Sequence, residues 1–213
     1  MERTLTTTSY ALLGLLRLRP WTTYELAKQV QKGLGWFWPR AERKLYDEPK
    51  RLVEAGLATA TQESTGRRPR TVYRITPEGR RVLRSWLGEP SAPPMLEMEA
   101  MVRVFFADGG SKESLLSTLE GVEQRAREMT AELLAQIEGS RAADYEFVAR
   151  HHINALTLRY ELDHANQTAG WAAWARAQVE QWPSTNDPGD WDWESAVEPV
   201  LLATDARDAR RRR

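Results

Sequence analysis

Apolar positions crowd the first segment of this chain and thin into periodic stripes further on. From Thr6 to Leu18, the residues Tyr10, Leu12, Leu13, Leu15, Leu16 and Leu18 are too dense for a surface helix with one narrow stripe, which predicts a buried first helix ending before Pro20. Thr22-Thr23-Tyr24-Glu25 then sets a hydroxyl at a cap position and a carboxylate three residues on, so a second helix should run to about Gln31, before Gly33 and Gly35. A third helix is expected between Pro39 and Ala55. At about 100° per residue, Leu45, Pro49, Leu52 and Gly56 fall on one side of it, and Arg40, Arg43, Lys44, Lys50 and Arg51 on the other, with Asp47 and Glu54 among them. Pro49 removes the amide that would bond to Leu45 and crowds that carbonyl, so either this helix kinks or a short turn precedes a helix that starts near Glu48.

The rhythm then changes. Leu57 to Thr61 and Thr71-Val72-Tyr73-Arg74-Ile75 read as strands, joined by a polar connection, residues 62–70, that carries Gly66, Pro69 and the cations Arg67, Arg68 and Arg70. Thr76-Pro77 offers a cap followed by a proline at the first helical position, opening a helix to about Leu87. Gly88-Glu89-Pro90-Ser91-Ala92-Pro93-Pro94 is the one evident linker.

Everything after it reads as helix. Glu97 to Ala107 is short and apolar, stopped by Asp108-Gly109-Gly110, with Ser111 as the next cap. Leu115, Leu119, Val122, Ala126, Met129 and Leu133 step alternately by four and three, a heptad seam suited to helix pairing. A last long segment, from about Ala142 to Trp182, carries Ala155, Leu158, Leu162, Ala165, Ala169 and Ala172. As a single helix it would extend roughly 60 Å, more than this half of the chain covers alone, so a second copy of the chain is expected to take part of its apolar face. The competing arrangement is an intramolecular bundle with a break near Gly170. Leu115, Leu119, Val122, Met129, Leu133, Leu158 and Leu162 are the residues this reading assigns to dimerisation. Trp191 and Trp193 are expected to dock on the bundle, and Ala206 to Arg213 to form a disordered basic tail. The resulting fold class is mainly α: a winged helix-turn-helix of three helices and a two-stranded wing over 1–88, a linker over 89–94, a helical dimerisation domain over 95–182, and an irregular extension over 183–213.

Charge sharpens this division. The chain is neutral overall, with 30 Lys+Arg and 30 Asp+Glu, yet residues 1–90 hold 17 of the cations against 9 of the anions, and the remainder holds 13 against 21. One half suits a polyanion and the other is repelled by it. There is no cysteine, which removes disulfides, thiolate catalysis and sulfur-ligated zinc. No signal peptide is evident at Met1-Glu2-Arg3-Thr4-Leu5, and no uncharged apolar run reaches the roughly eighteen residues of a membrane span, so a cytoplasmic protein is expected.

Three helices followed by a hairpin with a basic tip is the order of a winged helix-turn-helix, whose third helix enters the DNA major groove while the wing lies along the flanking backbone or minor groove. The wording of the sequence resembles the PadR family of transcriptional regulators. The resemblance is carried by Ser9-Tyr10-Ala11-Leu12-Leu13-Gly14-Leu15-Leu16, Thr23-Tyr24-Glu25-Leu26, Leu45-Tyr46, and Lys50-Arg51-Leu52-Val53-Glu54-Ala55-Gly56-Leu57. It closes with Gly66-Arg67-Arg68-Pro69-Arg70-Thr71-Val72-Tyr73-Arg74-Ile75-Thr76-Pro77-Glu78-Gly79. The resemblance implies a homodimeric repressor on double-stranded DNA, released in some members by a small molecule. It also implies that Thr23, Tyr24, Tyr46 and the cations of the third helix face DNA while the wing arginines clamp it. Pro49 departs from the aliphatic residue that the family usually has there.

Other functions find less support. Histidines occur only at 151, 152 and 164, with no phosphate loop, nucleophile elbow or HExxH pattern, so an enzyme is not expected and no cofactor is called for. His151, His152, Asp163 and His164 are the residues that a metal-responsive regulator would use. A protein-interaction adaptor that had lost DNA is the remaining alternative, opposed by the cations. Nine tryptophans are many for this length, and Trp36, Trp38, Trp86, Trp171 and Trp174 would suit a small aromatic effector where head and bundle meet, although packing alone also accounts for them.

Overall fold

Thr6, Thr22, Thr76 and Ser111 each start a helix in the same way, the hydroxyl accepting the amide of the residue three positions on. The computed structural model describes residues 5–35, 38, 42–65, 68–196 and 198, apart from the side chains at 42–44, 64, 65 and 68, and divides into two units, Met1–Pro94 and Met95–Arg213.

The first unit contains α1 (Thr7–Leu18), β1 (Trp21–Thr22), α2 (Thr23–Leu34), α3 (Glu42–Glu54), β2 (Ala58–Thr65), β3 (Arg68–Ile75) and α4 (Pro77–Leu87). The strands form an antiparallel sheet in the order β1-β3-β2. Two residues of β1 are too few to leave a periodic trace, which is why the sequence predicts only two of the three strands. What fixes β1 is Trp21, 3% exposed, whose indole N–H donates to the Leu15 carbonyl at 2.8 Å. Leu12, Leu13, Leu16, Leu26, Val30, Leu45 and Leu52 fill the core, and α3 packs on α1, α2 and β2.

The third helix is one continuous element with Pro49 inside it, not a turn followed by a helix from Glu48. Pro49 is fully buried beside Leu45 and Leu52 on the predicted core face, so its ring serves as apolar filling although one ladder bond is missing. The helix ends on Gly56 at φ +70°, with Gly56 N–H on Val53 O and Leu57 N–H on Leu52 O, both 2.9 Å. Thr76 then donates its hydroxyl to Gly56 O at 2.8 Å, tying the start of α4 to the end of α3.

The second unit contains α5 (Glu99–Phe105), a turn of 3-10 helix at Ala107–Gly109, α6 (Lys112–Gly139), a second such turn at Val148–Arg150, and α7 (His151–Gln181). Helices α6 and α7 lie antiparallel: Lys112 donates to the Glu180 and Trp182 carbonyls at 2.9 and 2.6 Å, Arg176 meets Glu123 at 3.5 Å, and Thr130 meets Asn166 at 3.5 Å. The expected helix from Ala142 is corrected, since residues 142–147 are turns and α7 begins at His151. It passes Gly170 unbroken. At 31 residues it extends about 46 Å, shorter than the sequence suggests. Its buried stripe keeps the expected Ala165 and Ala172 and adds Glu161 and Val179, while Leu158 and Leu162 are half-buried and Ala155 is exposed.

Glu161 is an unusual member of that stripe. It is 3% exposed, no hydrogen-bond or ion-pair partner for it occurs among the described residues, and burial pushes its carboxyl up to about 7. Because the folded value lies above the unfolded one, this group's stabilising contribution is complete below about pH 4.5 and is lost as pH rises towards 7. Glu161→Gln should therefore raise stability at pH 8 by roughly 2–4 kcal/mol and flatten the fall between pH 5 and 7. Urea unfolding at several pH values measures this, and an unchanged pH profile would refute it.

Candidate nucleic-acid interface

The surface that the sequence assigns to DNA is built from the start of α2, the outer face of α3 and the β2–β3 wing. At α2, the Thr22 cap is doubled by Glu25, which takes the Thr22 amide and hydroxyl on one oxygen, each at 2.8 Å. Burial works to raise the Glu25 carboxyl, but the Thr22 hydrogen bonds and the charges of Arg19 and Arg70 hold it below its ordinary value. Thr23 is half-buried and Tyr24 is 63% exposed on this first turn, where the helix presents its positive end. Arg19 itself lies 3.4 Å over the Trp21 ring and 3.7 Å from Glu25, so it is held in the head.

On α3, Lys50 and Arg51 are exposed and Tyr46 is half-buried. Arg43 and Lys44 lie on the same helix, but their side chains are outside the described residues, and so are Arg40 and Arg67 entirely. The side chain of Arg68 is likewise outside them. In the wing, Arg70 and Arg74 are about half exposed and flank Glu63, at 3.7 and 2.8 Å. The strands pair as far as Thr65 with Arg68, so the hairpin is tighter and longer than the predicted connection. Paired strands extend the wing as a rigid arm, which a loose loop would not do.

Two features escaped the sequence reading. Arg74 is exposed although alternation puts it on the face of β3 that holds the buried Val72, so the pattern alone does not mark it. Glu48, three residues after Leu45 and four before Leu52, belongs by helical spacing to the buried face, where it is 5% exposed. It accepts from Ser9 on α1 at 2.5 Å and from Arg51 at 3.0 Å.

The dimerisation and effector candidates fall in the second unit. Leu115, Leu119, Val122 and Leu133 are buried within the single chain, where Leu115 and Leu119 cluster with Val179, so this seam is occupied by the chain's own helices. Left exposed are Val102, Phe105 and Phe106 on and beside α5, and Ile153, Leu156 and Tyr160 at helical spacing on α7. A cavity of about 590 Å³ opens between α5, α6 and α7, lined by Met98, Arg103, Gly121, Arg125, Met129 and His164 among others. Neither Trp171, packed on the Leu115–Leu119–Val179 cluster, nor Trp174 lines it. Trp86 stacks on Tyr10 at 4.5 Å, a packing role, and Trp36 lies outside the described residues. Trp191 docks on α7 through Gln178 at 2.8 Å, whereas Trp193 is 64% exposed, against expectation. The basic tail lies outside the described residues. Among the described residues no three His, Asp or Glu side chains come close enough to hold a metal ion; His151 stacks on Tyr145 and Asp163 pairs with Arg159.

Each half of the chain has known likenesses. The model described as the transcriptional regulator PadR-like family matches residues 12–85, and that described as the virulence activator alpha C-term matches residues 98–180. Over residues 12–85 the chain is similar to the PadR-like family of transcriptional regulators. The negative transcriptional regulator PadR of Bacillus subtilis is 25% identical over 131 residues, 61% of this chain and 72% of that protein. The crystal structure of Bacillus subtilis PadR in complex with operator DNA matches with a TM-score of 0.70 at 22% identity, covering 82% of this chain and 99% of that one. The same protein in complex with p-coumaric acid matches with a TM-score of 0.63 at 21% identity, covering 84% and 99%. These likenesses place the mainly helical architecture, with its small sheet, in the PadR fold, and the PadR-like family is one of regulators, not enzymes.

Proposed function

We propose that this PadR-like chain binds double-stranded DNA as a homodimeric repressor, with α3 in the major groove and the β2–β3 wing along the flanking backbone. The observation that carries the reading is the charge division: the unit holding the winged helix has 17 Lys+Arg against 9 Asp+Glu, while the helical unit is acidic. Phosphate contacts from the wing and α3 cations supply sequence-independent affinity, and side chains of α3, with Tyr46, Lys50 and Arg51 foremost, approach base edges. The interface residues of this reading are Thr23, Tyr24, Arg40, Arg43, Lys44, Tyr46, Lys50, Arg51, Arg67, Arg68 and Arg70, joined by Arg74.

The mate is a second copy, seated on the exposed apolar side chains of α5 and α7, in place of the heptad seam that the chain already fills. Two heads on a two-fold axis meet successive major grooves about 34 Å apart, so the operator is an approximate inverted repeat. A small-molecule effector is part of the reading because the Bacillus relative has been solved with p-coumaric acid and the α5–α6–α7 cavity is of ligand size. No helix among the described residues is long and apolar enough to cross a membrane, which is consistent with the cytoplasm.

The test is a gel shift with the DNA upstream of the chain's own gene, with sedimentation velocity on the free protein. A retarded band and a two-chain species that Phe105→Asp with Leu156→Asp converts to monomer are expected. A protein that ignores the duplex in dilute buffer, or stays monomeric at micromolar concentration, would overturn the reading.

A further inference from the structure

A carboxylate in the core of a DNA-reading head needs a reason. Glu48 is 5% exposed on the face of α3 that also buries Leu45, Pro49 and Leu52, and a leucine or methionine there would avoid the cost of taking a charge out of water. Its two oxygens are used on two different elements. Oε1 accepts the Ser9 hydroxyl at 2.5 Å, thirty-nine residues away on α1, and Oε2 accepts Arg51 Nη1 at 3.0 Å, one turn along α3. The Ser9 hydroxyl is itself oriented, since it receives the Thr6 amide at 2.9 Å, which leaves its proton for Glu48. A directed chain thus runs from the α1 cap through Ser9 and Glu48 to an arginine whose side chain is 44% exposed.

The chain of bonds crosses α3 where the helix is least able to hold itself. Pro49 follows Glu48 directly and lacks the amide that would bond back to Leu45, so the ladder is interrupted at the turn that Glu48 ties to α1. Arg51 has a long stem with considerable rotamer freedom, and base recognition by a guanidinium depends on its fork being held at a fixed angle. Glu48 engages one nitrogen of that fork, and the Arg51 side chain stays 44% exposed.

We propose, resting on the DNA-binding reading above, that Glu48 is a positioning residue for sequence discrimination: bonded to Ser9 and Arg51, it fixes the seat of α3 on α1 and the direction of the Arg51 guanidinium. The residue touches no base. Buried ionic groups of this kind are best attested as devices of register and specificity, not of net stability.

The test uses full-length protein and fluorescence anisotropy with two labelled duplexes, the operator found by footprinting and a scrambled duplex of equal composition. Glu48→Gln keeps a carbonyl for Ser9 but removes the acceptor from Arg51. It should leave the fold intact by circular dichroism and the salt slope unchanged, while the ratio of operator to scrambled affinity falls about tenfold. Arg51→Ala should give a similar loss, and the double variant no more than Arg51→Ala alone, because the two act as one unit. Ser9→Ala should lose part of the ratio. A merely structural role would lower the melting temperature of Glu48→Gln and leave the ratio untouched, and independent, additive losses in the double variant would equally overturn the proposal. If wild-type protein binds neither duplex, the DNA reading fails and this proposal with it. If wild type discriminates and Glu48→Gln discriminates equally well, this proposal alone fails.

Discussion

Replacing Arg67, Arg68 and Arg70 together by alanine is expected to weaken binding to every duplex alike, by about tenfold or more at physiological salt, and to flatten the dependence on salt. Each cation seated on a phosphate releases condensed counterions, and the logarithm of the binding constant falls with the logarithm of salt by about 0.9 per contact. Removing three contacts in each head should therefore make the slope shallower by about two to three units per head. The paired strands carry the tip outward as an arm, and Arg70 already has Glu63 as a neighbour, so part of its charge is balanced before DNA arrives. Operator preference should survive, because the wing meets backbone and not base edges. Titrations at several salt concentrations measure both quantities, and an unchanged slope would remove the wing from the interface.

Leu45→Ala is expected to cost about 2–5 kcal/mol, since it empties a fully buried site where α3 packs into the head. Leu45 is 0% exposed, and the same face holds Pro49, which cannot move to fill the space without dragging the backbone. For a unit of this size the loss corresponds to a fall in melting temperature of more than about 10 °C. Leu87→Ala, in the same unit but 67% exposed, should stay within about 0.5 kcal/mol of wild type. Thermal melts followed by circular dichroism decide it, and equal effects of the two changes would contradict the placement of α3 in the core.

Much of the head was legible because each of its elements announces itself locally. Thr22 with Glu25 and Thr76 with Pro77 mark helix starts by side-chain chemistry alone, and the β-forming residues of Thr71 to Ile75 mark a strand. Trp21 and Thr22 gave no such trace, because a two-residue strand exists only through its partners Tyr73 and Val72. Glu48 went unnoticed although helical spacing puts it with Leu45 and Leu52, because a carboxylate there is counter to composition until Ser9 and Arg51 are seen to bond it. In the second unit periodicity found the α6 seam but not its mate. Leu115 and Leu119 meet Val179 inside one chain, so a heptad that suits a second copy equally suits an antiparallel neighbour. Of the alanines read on α7, Ala165 and Ala172 are buried as expected, whereas Ala155 is exposed and the inward-facing Glu161 was not foreseen.

A basic winged head, doubled by a two-fold mate, should leave a paired footprint on duplex DNA. Footprinting of the full-length protein on fragments of its own genome tests it most directly. Two protected half-sites of related, inverted sequence are expected, with centres about one helical turn apart and flanks covered by the wings. Protection that is absent at low salt, or that spreads evenly along every fragment without paired half-sites, would contradict it.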